Sequence, residues 1–210
     1  MHVVLLGDSI FDNGAYVRPG EPDVVRQLQA RLPAGARASL LAVDGATTAG
    51  VPGQVARVPP EATHLVVSAG GNDALGHIGV LEDASRSIAD TLNRLAGIAD
   101  GFERSYRAML EAVLARRLPT ALCTVYDPRF PDPRLQRLGT TALTLFNDVI
   151  VRHAFARGLP LVDLRLVTTE DADYANPIEP SARGGDRIAA AIATLLAEHR
   201  FERGRTEVFR

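Results

Sequence analysis

Five short apolar runs punctuate the chain, and longer stretches of helical spacing lie between them. Residues 3–6, Val-Val-Leu-Leu, are broken at once by Gly7-Asp8-Ser9, the pattern of a strand buried on both faces. Residues 38–43, 65–69, 120–126 and 159–164 repeat the pattern, with β-branched side chains inside each run and turn residues after it. Between them Val24, Val25, Leu28 and Leu32 recur at helical spacing, as do Ile88, Leu92 and Leu95. Further helical faces are Phe102 to Leu114, Leu143 to Ile150 and Ile188 to Leu196, with Gly97 and Gly101 expected to divide the longest pattern into two helices.

Strand and helix alternating along the whole chain imply βαβ units, which place a parallel sheet between two helical layers. The simplest such architecture is a flavodoxin-like three-layer α/β/α sandwich around a five-stranded parallel sheet. No linker, repeat or low-complexity segment divides the chain, so residues 1–200 read as one domain. Residues 201–210 read as a charged tail that packs loosely.

Composition narrows the function classes. A chain of 210 residues can bury one full core, and a net charge of -2 gives no electrostatic case for nucleic acid or an anionic membrane. No apolar run approaches the length of a membrane span, and the first residues lack the basic and apolar regions of an export signal. The single cysteine, Cys123, lies inside an apolar run and reads as a packing residue in a reducing compartment, so the expected location is the cytoplasm.

Segments that follow parallel strands lie on one rim of the sheet, where open α/β folds bind ligands. Four loops are therefore expected to meet: Gly7-Asp8-Ser9, Asp44-Gly45-Ala46-Thr47, Gly70-Gly71-Asn72-Asp73, and residues 168–181. Three of them suit one purpose. Ser9 has a nucleophilic hydroxyl, Gly45 offers an unobstructed backbone N–H, and Asn72 offers a side-chain amide; two such donors aimed at one point form an oxyanion hole for acyl transfer. Taken singly, each reads first as a cap or turn residue, and it is their combination at the ends of the first three strands that points to chemistry.

Gly7-Asp8-Ser9-Ile10 after the first strand and Gly70-Gly71-Asn72-Asp73 after the third resemble the first and third blocks of the SGNH (GDSL-type) hydrolases, and Gly45 matches the second. The resemblance spans residues 7 to about 192. It implies a flavodoxin-like fold, a serine esterase acting on a small-molecule ester, Ser9 as nucleophile, and oxyanion donors from Ser9 N–H, Gly45 N–H and Asn72. It also implies no metal and no cofactor. Ile10, Phe11 and Ile178 are candidate cleft walls, and Ile10, Asp73 and Ile178 candidate substrate contacts.

The family's last block, Asp-x-x-His, is matched here by Asn176-Pro177-Ile178-Glu179, ahead of Pro180-Ser181 and the final helix. Asn176 stands in the place of the aspartate and Glu179 in that of the histidine. A free glutamate is a weaker base than histidine by about 3 kcal/mol, a gap that burial narrows by raising its pKa. With Glu179 as base no imidazolium forms, so an amide at 176, bonded to the carboxylate, is compatible. His77, on the rim five residues beyond Asn72, is the alternative base.

Three readings remain open. One is an esterase for a small acyl or acetyl ester, working through a Ser9 acyl-enzyme with Glu179 as an atypical base. A second is a weak or inactive relative that binds an ester or glycan. The third is a phosphate binder at a helix following Gly7. Asp12, Asp127, Asp132, Asp171 and Asp173 sit in loops after strands without recognised metal-ligand spacing. The proline-rich loop 127–133 is either a lid or a rigid connection.

Overall fold

The computed structural model describes all residues from Met1 to Arg210. Strands β1 (His2–Gly7), β2 (Arg37–Leu40), β3 (His64–Ser68), β4 (Thr120–Cys123), β5 (Leu161–Val162) and β6 (Val208–Phe209) form one sheet in the order β2-β1-β3-β4-β5-β6. Every neighbouring pair is parallel. The architecture is the expected α/β/α sandwich, with six strands in place of five.

Strand alternation divides the core in two. Val4 and Leu6 of β1, Leu65 and Val67 of β3 and Leu122 of β4 point to one face. There they meet α2 (Val51–Val55), α4 (Ile88–Leu114) and α5 (Pro133–Arg157). Val3, Leu5, Val66, Ala121 and Cys123 point the other way, toward α1 (Val24–Arg31) and α7 (Ala182–Glu198). Cys123 is thus the buried packing residue its neighbours predict.

Several boundaries shift for local reasons. β4 stops at Cys123 because the Asn147 side chain takes both backbone groups of Val125, accepting its N–H at 2.8 Å and donating to its carbonyl at 2.9 Å. β5 stops at Val162 because Asp163 caps the short helix α6 (Leu164–Val167). The helix α4 runs unbroken through Gly97 and Gly101, against the expected division, since two glycines weaken a helix without ending it. The tail is not loose: Val208 and Phe209 pair with Leu161 and Val162 as the edge strand. Its charges mislead because Glu207 receives His199 Nδ1 at 2.8 Å, so a polar stretch is tied down by polar contacts.

Candidate active site

The site begins with the sharp exit of β1. Gly7 has φ of +130°, and a Cβ there would lie 1.7 Å from the Ser68 carbonyl oxygen, so only glycine fits against β3. Gln54 of α2 clamps the same residue, accepting its N–H and donating to its carbonyl at 2.8 Å each. The chain then turns without entering a helix: Phe11 and Asp12 N–H both reach the Asp8 carbonyl. No helix starts until Val24, which removes the phosphate-binding reading that depended on one. Ser9 is left at the floor of a cleft, 6 % exposed, and its backbone N–H donates to no protein acceptor.

The third loop turns just as abruptly. Gly70 has φ of +131° and packs where a Cβ would stand 3.0 Å from the Phe102 ring, and it starts the short helix α3 (Gly71–Leu75). One Asn72 amide hydrogen goes to the Ala46 carbonyl at 3.0 Å, which leaves the second for a ligand at the cleft it lines. Asp73 is spent elsewhere. Its carboxylate accepts Thr48 Oγ1 at 2.6 Å and Thr48 N–H at 3.0 Å, tying the third loop to the second, and it does not line the cleft. Gly45 is exposed with φ of +77° and its N–H has no protein acceptor.

The fourth loop brings Glu179 to Ser9. Tyr174 and Pro180 form an antiparallel bridge, Ala175 N–H donates to the Glu179 carbonyl at 2.9 Å, and Tyr126 Oη donates to the Ile178 carbonyl at 2.8 Å. Below this hairpin Asp173, fully buried, pairs with Arg187 at 2.6 Å and Arg183 at 3.3 Å, so it anchors the loop and does not reach the serine. Asn176 Oδ1 accepts the N–H groups of Ile178 and Glu179 at 3.0 Å each. The asparagine therefore bonds the backbone of the turn, and not the Glu179 carboxylate as expected from sequence.

Ser9 Oγ donates to Glu179 Oε1 at 3.1 Å, between two side chains that are both about 6 % exposed. The second carboxylate oxygen, Oε2, is buried without a partner. Burial pushes the Glu179 carboxyl up to about 7; the Ser9 hydrogen bond opposes this and the Asp44 charge adds to it. Asp8 lies deeper, 1 % exposed, and burial raises it to about 8 with help from the Glu179 and Asp73 charges. Asp8 lines the cleft and Gln54 braces Gly7 behind it, two contributions that sequence reasoning missed because their contacts are made across the fold.

The cleft encloses about 110 Å³ and its walls are largely aliphatic. Ile10 and Ile178 line it, as expected; Phe11 does not, being fully buried in the core beside α7. His77 also lines the cleft, is exposed, and its ring bonds neither Ser9 nor Glu179. The proline-rich loop forms part of the wall through Pro128 and Phe130. It is bolted to the fourth loop by Arg129, whose N–H reaches the Pro177 carbonyl at 2.7 Å and whose guanidinium reaches the Thr169 carbonyl at 2.7 Å. Of the loop aspartates, Asp12 accepts Asp44 N–H and Asp132 caps α5, each bound within its own protein neighbourhood.

The model of the GDSL-like Lipase/Acylhydrolase family matches residues 5–198, which takes in all four loops. The chain belongs to that family. As a GDSL-like chain it shares its fold with solved lipases and esterases. It is similar to the lipase Lip_vut3 from a goat rumen metagenome, at 19 % identity and a TM-score of 0.69 over 96 % of this chain and 99 % of that one. It is also similar to an extracellular lipase from Streptomyces rimosus, at 20 % identity and a TM-score of 0.65 over 92 % and 100 %. The carbohydrate acetylesterase Est24 from Sinorhizobium meliloti gives 15 % identity and a TM-score of 0.63 over 93 % and 98 %. Among curated proteins none matches this GDSL-like sequence. No helix is long and apolar enough to cross a membrane.

Proposed function

We propose that the protein is a carboxylic ester hydrolase in which Ser9 is the nucleophile and Glu179, standing in the place of the family's histidine, is its base. The observation that carries this reading is the 3.1 Å hydrogen bond from Ser9 Oγ to Glu179 Oε1 inside a cleft. A general base must lie within hydrogen-bond reach of the proton it takes. Glu179 does, and His77 makes no such bond.

In this reading Glu179 accepts the Ser9 proton as Oγ attacks the ester carbonyl carbon. The oxyanion is met by the free N–H groups of Ser9 and Gly45 and by the second amide hydrogen of Asn72. Collapse breaks the carbon–oxygen bond, and the leaving alkoxide takes the proton from Glu179. Water then attacks the acyl-enzyme, passing its proton to Glu179, and the released Ser9 oxygen recovers it. No metal or cofactor enters any step.

The carboxyl's elevated pKa supports the assignment. Raising it from 4.5 to about 7 makes the carboxylate a stronger base by about 3 kcal/mol, which makes up the deficit against histidine. The apolar cleft beside Ser9 supports a small-molecule ester as the partner, and the edge strand β6 makes residues 201–210 part of the same hydrolase unit. The experiment is hydrolysis of p-nitrophenyl esters by the wild type, Ser9→Ala, Glu179→Gln and His77→Ala. Loss in the first two variants with retention in the third is expected. Equal activity in the wild type and Ser9→Ala would sink the reading, and a loss in His77→Ala as deep as in Ser9→Ala would move the base there.

A further inference from the structure

The cleft's side chains Asp8, Ser9, Asn72 and Glu179 come from the loops after β1 and β3 and from the fourth loop, and His77 from the turn after α3, whereas the residues contributed by α4 and α5 are apolar. An acetyl group would leave those walls empty beside the serine. Along α4 the apolar positions Ile88, Leu92, Leu95, Ile98 and Phe102 follow one another at helical spacing and form one stripe. Phe102 is buried in the core, Leu95 and Ile98 line the cleft, and the stripe then continues into solvent, where Leu92 is 60 % and Ile88 81 % exposed. Ile78, also exposed, borders the same mouth from the 3₁₀ turn Ile78–Glu82.

We infer that this stripe is the seat of a linear acyl chain, and that the ester substrate carries an unbranched acyl group of roughly six to ten carbons, well beyond acetyl. The inference rests on the Ser9 reading for the position of the ester group. Its length follows from two observations. A cavity near 110 Å³ is comparable to those that hold one benzene ring, about six carbons. The next turn of α4, from Leu95 back to Leu92, adds about 5 Å of apolar surface beyond it, room for about four further carbons. The chain's continuity with the cleft decides the occupant: the exposed end begins where the walls beside the nucleophile leave off.

The test has a catalytic and a binding arm. With p-nitrophenyl esters from acetate to laurate, kcat/KM is expected to rise up to about fourfold per added methylene and to level off or fall past about ten carbons. Ile88→Gln/Leu92→Gln, both at exposed positions, should lower the decanoate-to-acetate ratio by several-fold. Ala142→Trp, which fills the cleft from α5, should collapse the hexanoate-to-acetate ratio. In the binding arm, calorimetry on Ser9→Ala should show decanoate binding that Ala142→Trp removes. A profile that is flat or falls from acetate overturns the inference, as does Ser9→Ala that binds no decanoate. Decanoate binding without hydrolysis would uphold the groove and sink the Ser9 mechanism. A dimer in the wild type that Leu92→Gln dissociates, with an unchanged chain-length profile, would give the stripe to a second copy and overturn it as well.

Discussion

Asn176 holds Glu179 by the backbone: its Oδ1 accepts the Glu179 N–H at 3.0 Å, and that of Ile178 at the same distance. The side chain closes a turn that aims the carboxylate at Ser9, so any residue with an acceptor at that atom should serve. Asn176→Ala should lose two hydrogen bonds, about 1 kcal/mol each, and lower kcat more than it raises KM. Asn176→Asp keeps the turn but adds a charge near Glu179, so activity should survive with its acid limb moved to higher pH. Denaturant melts and pH–rate profiles of the two variants separate these outcomes.

As the proposed base Glu179 acts only as the carboxylate, and burial pushes its pKa up to about 7. Activity should therefore rise with pH through a limb near 7, well above the range of a free glutamate. Aspartate 44 adds to the raised value, and Tyr16 Oη donates to it at 2.8 Å. Asp44→Asn should move the limb toward lower pH, as read from kcat/KM between pH 4 and 9.

The same carboxyls set the pH dependence of stability. Folded-state values raised to about 7 for Glu179 and about 8 for Asp8 mean that the folded chain binds more protons than the unfolded one. Stability should then fall as pH rises from about 4 and level off above 8. Glu179→Gln removes a penalty of up to about 3 kcal/mol at alkaline pH, so this variant should melt above the wild type at pH 9 while losing activity. A wild type that gains stability across that range would contradict the burial argument.

Asn72 has two tasks, a hydrogen bond to the Ala46 carbonyl and a free amide hydrogen at the cleft. Asn72→Ala should lower kcat by about 10² to 10³ with a small change in KM, the signature of a donor that acts on the oxyanion. Thr48→Val, which breaks the neighbouring tie to Asp73, should cost stability before rate. Steady-state kinetics with melts of both variants distinguish a catalytic donor from a loop brace.

At the far edge of the sheet, β6 covers β5 with two parallel residues. Deleting residues 205–210 should bare the β5 edge, remove the Glu207 contact to His199, and lower stability by roughly 1–3 kcal/mol. Light scattering should also report aggregation that the full chain does not show.

Much of the fold was legible because burial on both faces leaves a simple trace. A run such as residues 3–6, apolar throughout and cut by Gly7, has few other interpretations than a central parallel strand. The limits of β4 and β5 were not legible, since Asn147 and Asp163 end them through side-chain bonds made across the fold or at a cap. The edge strand β6 was missed because two residues carry no period, and its partners lie far back in the sequence.

By itself the sequence determined which loops share a rim, because the succession of strands along the chain and the turn glycines after them are local properties of the chain. It placed Ser9, Asn72 and Glu179 among those loops and Ile10 and Ile178 on the walls. Only the tertiary structure decided how they meet. That Glu179 reaches Ser9 at 3.1 Å, that Asn176 bonds backbone instead of carboxylate, and that Asp73 is committed to Thr48 depend on distances between segments up to 170 residues apart. The raised carboxyls are likewise a tertiary effect: desolvation comes from walls supplied by every layer around the site, and no neighbour in sequence records it.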